Sequence, residues 1–231
     1  MNTLEHLLFS RFKLHGSLAL FLGVALLLLM IRIKITHSFF YLFLVWNLFL
    51  AVIPYGISLW LQSLKKPSKW FVILIALSWL AILPNAPYII TDFVHLRFAT
   101  ASLIWLDILL LFVFASNGLL FYFLTLQDMQ RLLKHHFATQ WISVISGFIP
   151  FLCGFGIYLG RVLRWNSWDL LHHPKSLLTD ILSITLNPVE HLTAWGLTLG
   201  FGIFLFSGML LFSQLGKLKK VNTEMRPTLD N

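Results

Sequence analysis

The stretch SLIWLDILLLFVFASNGLLFYFLT, residues 102–125, decides the fold class. As a helix rising about 1.5 Å per residue it reaches roughly 36 Å, enough to cross a hydrocarbon core about 30 Å thick. Its one ionisable residue is Asp107. On a soluble surface an aspartate needs no comment, but inside a run of this length it needs a partner, water or a function.

Working outward, five more runs of similar character fill the chain. They cover residues 14–31, 38–61, 70–83, 141–159 and 192–215, and short basic connectors separate them. Only 11% of the 231 residues are charged and 58% are hydrophobic. A soluble domain carries roughly 25% charged residues, because its exterior must face water. Lipid removes that requirement. The sequence therefore predicts an all-α, polytopic transmembrane helical bundle of about six spans. Residues 1–215 form its single domain, and a basic, polar, disordered cytoplasmic tail occupies 216–231. A seventh crossing would come from the piece starting near Ile181, which Asn187-Pro188 interrupts; a surface or re-entrant segment is the other reading. The run at 70–83 is short, and Pro84 ends it. The chain after Pro84 is expected to stay at the membrane as a short re-entrant or interfacial helix.

The net charge of +8 would raise nucleic acid as a partner in a soluble chain. Here the cations sit beside apolar spans and read as topology signals and contacts to lipid head groups. Membrane lipids are the expected partners, nucleic acid is not, and nothing identifies a protein partner. With six spans, one side collects Arg11, Lys13, Lys65, Lys66, Lys69, Arg131, Lys134, Lys217, Lys219, Lys220 and Arg226. The other has Arg32, Lys34, Arg97, Arg161, Arg164 and Lys175. That asymmetry predicts both termini in the cytoplasm. The Arg32/Lys34 pair is the feature that fits least. The first span is expected to be retained, since no small-x-small cleavage site precedes Arg32. Cys153, the single cysteine, lies in an apolar run and is expected to be buried and inert.

Six-span topology brings two polar segments to the outer side: LPNAPYIITDFVHLR, residues 83–97, and GRVLRWNSWD, residues 160–169. In the first, Pro84 and Pro87 should hold Leu83 and Ala86 away from the helical region. A short helix after Pro87 would put Asp92 and His95 on one face. The two would then serve as an acid–base pair or as a hydrogen-bonded unit, with Asp107 orienting a partner. Asp107 should approach Arg97, Arg161, Arg164 or a water-filled cavity. In the second segment, Arg161 and Arg164 either clamp an anion or pair with Asp92 and Asp169. Trp165 and Trp168 suit the head-group belt. Asn85, Tyr88, Arg97, Arg161, Arg164, Asn166, Trp168 and Asp169 are the candidate ligand-binding residues. Asn47 and Asn117 read as hydrogen bonds between helices.

Asp92, His95, Asp169, His172, His173 and His191 hold enough donor types for an external divalent metal, but their spacing resembles no compact zinc motif. Glu190 and His191 suit the start of the last span as caps. No phosphate loop, nucleophile elbow or zinc-protease signature is present, and no pattern names a cofactor or a metal.

The run LPNAPYIITDFVHL at 83–96, the WLD at 105–107, Gly160-Arg161 and RWNSWD at 164–169 resemble the signature of the bacterial DUF1361 family of multi-pass membrane proteins. The resemblance covers nearly the whole chain. It implies a membrane location and a bacterial source and carries no activity with it. Three functions remain open: binding or transport of an anionic or lipid-like ligand at the outer face, an enzyme acting on an envelope lipid or glycan precursor, and a structural or regulatory scaffold.

Overall fold

A computed structural model describes residues 9–225, with side chains to 216. The described chain is helical throughout and has six helices long and apolar enough to cross a membrane. The first two are α1 (Phe12–Thr36) and α2 (Phe43–Ser63), the latter preceded by a 3₁₀ turn at Phe40–Leu42. The third crossing is composite: α3 (Lys69–Ile82), a single turn α4 (Asn85–Tyr88) and a 3₁₀ segment (Ile89–Phe98). Then come α5 (Ile104–His136), α6 (Thr139–Arg161), the short α7 (Asp169–His172) and α8 (Pro174–Leu186), and the last crossing, α9 (Leu192–Met225).

The exterior has the character that lipid requires. Large side chains such as Leu20, Phe49, Leu74, Phe148 and Phe204 stand exposed around the bundle, far beyond the apolar patch a soluble monomer tolerates. α5 is the axis: 56% of its most apolar window is buried, against 17% for α9. It packs against α1, α2, α4, α6 and the 3₁₀ segment.

Glycines set the closest approaches. A Cβ on Gly118 of α5 would lie 2.3 Å from the Ala86 carbonyl oxygen, and one on Gly154 of α6 would lie 2.6 Å from the Thr198 carbonyl of α9. Small residues let backbones meet where lipid offers no hydrophobic drive for association. Polar side chains add a second device. The Trp79 indole donates to Thr125 Oγ1 (2.8 Å), and that hydroxyl donates to the Pro54 carbonyl (2.8 Å). One buried chain of two bonds thus joins α3, α5 and α2.

Several expectations change. Leu83 is helical (φ −52°, ψ −39°) although Pro84 follows it, and Ala86 lies within α4 although Pro87 follows. The steric bias of a residue before proline is a preference, and packing overrides it here. Asn85 compensates locally, its Nδ2 donating to the Ile82 carbonyl at 2.8 Å. The segment after Pro87 is a 3₁₀ helix of ten residues, far longer than the three or four such a helix usually lasts. Non-helical or broken backbone at membrane depth is tolerated where it is buried in protein or lines a cavity, and this segment buries Ile89 and Asp92 in the bundle. α8 has 13 residues, roughly 20 Å, too short to cross. Of the two readings the crossing is therefore removed, and α8 is the surface or re-entrant segment. α5 continues to His136 and α9 to Met225, past their apolar runs. The helix therefore enters the expected tail, of which residues 226–231, with Arg226, lie outside the described residues; so do the side chains of Lys217, Lys219 and Lys220.

Candidate functional site

Among the described residues three arginine–aspartate pairs join different helices or segments of the bundle, two at the end holding the polar segments and one at the opposite end. At the opposite end Arg11 binds Asp128 through both guanidinium nitrogens, one at 3.0 Å, and lies 3.5 Å from Gln62 Oε1. The bond to Asp128 raises the Arg11 pKa above its ordinary value, against the opposing effect of burial.

At the first end, Asp107 is fully buried and pairs with Arg32 Nε and Nη2, the latter at 3.1 Å. The Tyr41 hydroxyl donates to it at 3.3 Å. This corrects the expectation that Asp107 meets Arg97, Arg161, Arg164 or a cavity. The partner is the arginine that fitted the charge asymmetry least. Arg32 is only 9% exposed, so it belongs to the bundle interior and not to a loop. An orienting role for Asp107 toward Asp92 or His95 gains no contact.

The third pair organises the polar segments. Asp92, 1% exposed, accepts from Arg161 Nη2 and from Asn47 Nδ2 (2.8 Å). Arg161 also donates from Nε to the Thr91 hydroxyl (2.7 Å), and its guanidinium covers the Tyr88 ring 4.4 Å from the centroid. The turn from α4 into the 3₁₀ segment makes this possible: the Thr91 hydroxyl donates back to the Tyr88 carbonyl (2.6 Å), and Asp92 bridges Arg161 of α6 and Asn47 of α2. Gly160 lets α6 come close: a Cβ there would lie 3.2 Å from the Tyr88 ring.

His95 takes the Asp92–His95 spacing that the sequence predicts, but its Nδ1 is 3.0 Å from the Asp92 backbone carbonyl and 4.0 Å from its carboxylate. The ring packs against Phe43 and Phe40 at centroid distances of 4.7 and 5.9 Å.

Beside this knot lies a cavity of about 430 Å³ between α2, α3, α4, α6 and the α7–α8 region, within the size range of small-molecule sites. Leu50, Leu80, Leu152, Phe155, Leu177 and Ile181 form apolar walls. Asn47, Asn85, Tyr88, Asn166, Ser167 and Trp168 supply the polar side. Asn85 Nδ2 donates to Ser167 Oγ (3.1 Å), which donates to the Ala81 carbonyl (3.1 Å), so the two polar segments meet directly. Arg164 helps aim the second one. Its left-handed backbone (φ 62°) turns the chain so that the Trp165 N–H reaches the Leu159 carbonyl at 3.0 Å. The Trp165 indole then donates to Asp180 on α8 (2.8 Å), holding that helix over the cavity.

Of the candidate ligand-binding residues, Asn85, Tyr88, Asn166 and Trp168 line the cavity. Asp169 sits behind it, accepting from the Asn166 backbone N–H (2.7 Å) and side-chain amide (3.2 Å). Arg161 is engaged by Asp92 and Thr91. Arg164 and Arg97 are exposed and do not line the cavity; Arg97 lies over the Phe98 ring. Asn47 joins helices, as expected, and also lines the cavity. Asn117 joins α5 to the Phe21 carbonyl of α1 at 3.3 Å. Ser167, Leu177 and Ile181 were not legible as site residues: Ser167 is one small hydroxyl between tryptophans, and the other two carry no polar signal. His191 approaches Ser183 (3.2 Å), and among the described residues no cluster of three metal-ligating side chains exists. Cys153 is fully buried.

Six lipid-facing crossings, a broken third span and a cavity beside it define a polytopic helical membrane protein. The chain belongs to the family described as "Protein of unknown function (DUF1361)", whose model matches residues 46–207. No curated protein and no solved structure matches it.

Proposed function

We propose that this protein binds a lipid-like ligand in the cavity between α2, α3, α6 and α8, in the cytoplasmic membrane, with both termini in the cytoplasm and the cavity at the outer leaflet. One observation carries the reading: a cavity of about 430 Å³ has leucine-rich, mainly apolar walls interrupted by a few amide and hydroxyl groups, of which Asn85 and Ser167 touch one another. That surface matches a molecule with an apolar chain and a small polar head. The ion pairs support the same reading by their preoccupation. Asp92 and Arg161 satisfy one another and Asn47, so they build the wall that holds Tyr88 and Asn47 in place.

The test is purification in a mild detergent followed by native mass spectrometry and lipid extraction. Wild type should retain a chain-bearing ligand. Ile181→Trp and Ala81→Phe, which fill the cavity from opposite walls, should lose it while the fold survives. Retention of the same ligand by both filled variants would remove the proposal.

An enzyme acting on an envelope lipid is the second reading, and its motive is the Asp92–His95 pair. It requires Asp92 to leave Arg161 when substrate enters.

A further inference from the structure

Building on the cavity proposed above as a lipid-like site, we infer that it takes a ligand whose head group is an uncharged hydrogen-bond donor, a polyol or sugar on an apolar chain, and not a phosphate or carboxylate. Four polar side chains on the cavity wall carry the inference: Asn47, Asn85, Asn166 and Ser167.

Each turns at least one hydrogen into the protein, and Asn85 and Ser167 turn in all they have. Asn47 Nδ2 donates to the Asp92 carboxylate (2.8 Å). Asn166 Nδ2 donates to the Asp169 carboxylate (3.2 Å). Asn85 Nδ2 spends both hydrogens, on the Ile82 carbonyl (2.8 Å) and Ser167 Oγ (3.1 Å). The Ser167 hydrogen goes to the Ala81 carbonyl (3.1 Å). Carboxylates and carbonyls accept only, so these partners fix which end of each amide is nitrogen. All three amides retain their oxygen, an acceptor with two lone pairs, while Asn47 and Asn166 keep one N–H each besides. Ser167, its hydrogen used, has only acceptor capacity to offer.

Charge points the same way. No residue lining the cavity is charged. Arg161, next to the lining Gly160, is held by Asp92 and Thr91. Carboxylates stand directly behind two of the amides and polarise their oxygens toward stronger acceptance. An anionic head would bring its charge against three amide oxygens and a serine oxygen with no cation lining the cavity to meet it. A hydroxylated head would meet three amide oxygens and a serine oxygen with donors, and the Tyr88 hydroxyl and Trp168 indole can serve its own oxygens.

The experiment measures affinity of the purified full-length protein, in detergent, for oleoyl-chain probes differing only at the head: monooleoylglycerol, oleoyl lysophosphatidate, oleylamine and methyl oleate, with free glycerol as the chainless control. Monooleoylglycerol should bind about tenfold or more tighter than the phosphate and the ester, the ratio expected when buried acceptors go unpaired. Asn166→Ala, on an exposed loop, should shrink the glycerol-to-ester ratio several-fold. Equal or tighter binding of the phosphate or the amine overturns the head-group assignment and leaves the cavity reading standing. Failure of every oleoyl probe to bind, or glycerol alone binding as well as its ester, overturns the cavity reading itself.

Discussion

Breaking the Asp92–Arg161 pair from either side should destabilise the bundle, and replacing both members together should not. Asp92 is 1% exposed and Arg161 retains 25% of its side-chain surface. Removing one partner of a buried pair costs about 3–5 kcal/mol, because the remaining charge keeps its burial and loses its compensation. The residual solvation of Arg161 lowers that figure, so Asp92→Leu should cost about 2–3 kcal/mol. Arg161→Met strands Asp92 with Asn47 as its remaining donor and should cost at least as much. For a chain of this size such losses correspond to a fall in Tm of about 4–12 °C. The double variant Asp92→Leu/Arg161→Met replaces both charges with apolar side chains and should return to within about 1 kcal/mol of wild type. The assay is thermal unfolding in detergent, read as a double-mutant cycle. A coupling energy near zero would refute the argument that these residues are structural partners. Unchanged stability in Arg161→Met together with lost ligand would restore Arg161 as an anion clamp.

Three further outcomes follow from the same geometry. Gly118→Ala should cost about 1–3 kcal/mol, since its Cβ would sit 2.3 Å from a backbone oxygen that cannot rotate away; unfolding in detergent reads it. Thr125→Val should cost about 1–3 kcal/mol, because the Trp79 indole loses its buried acceptor, and a shift in the tryptophan emission should accompany it. Single cysteines replacing Asn85 and Asn166 should both be labelled from outside intact cells and one replacing Lys66 only from inside, with the buried Cys153 contributing little background; labelling of Asn85 and Asn166 from opposite sides would end the shared site.

Much of the bundle was legible because membrane spanning imposes a one-dimensional rule. Length and hydropathy located all six crossings, and Pro84 marked the place where the third breaks. The same rule is blind to partners. Asp107 was visible as anomalous, yet its partner lay in what read as a loop, because Arg32 follows its apolar run and burial cannot be read from sequence distance. The helices α5 and α9 outrun the apolar runs because helix continues where hydrocarbon stops: at the end of α5 Asp128 pairs with Arg11 and Arg131, and Gln127 accepts from Arg131. Proline's neighbours were misjudged for a similar reason, since a local preference of modest size yields to packing against α5 and to the Asn85 amide.

By itself the sequence settled the solvent, the approximate number of crossings and which polar segments share an end, since each depends on the order and apolar character of residues along the chain; that the piece near Ile181 does not cross was settled by the length of α8. Only the folded bundle decided who pairs with whom. Burial and hydrogen-bond direction arise between residues such as Asp92, Arg161 and Asn47, which stand 45 to 69 positions from Asp92 in the chain, and those directions turn a set of polar side chains into a wall that offers oxygen.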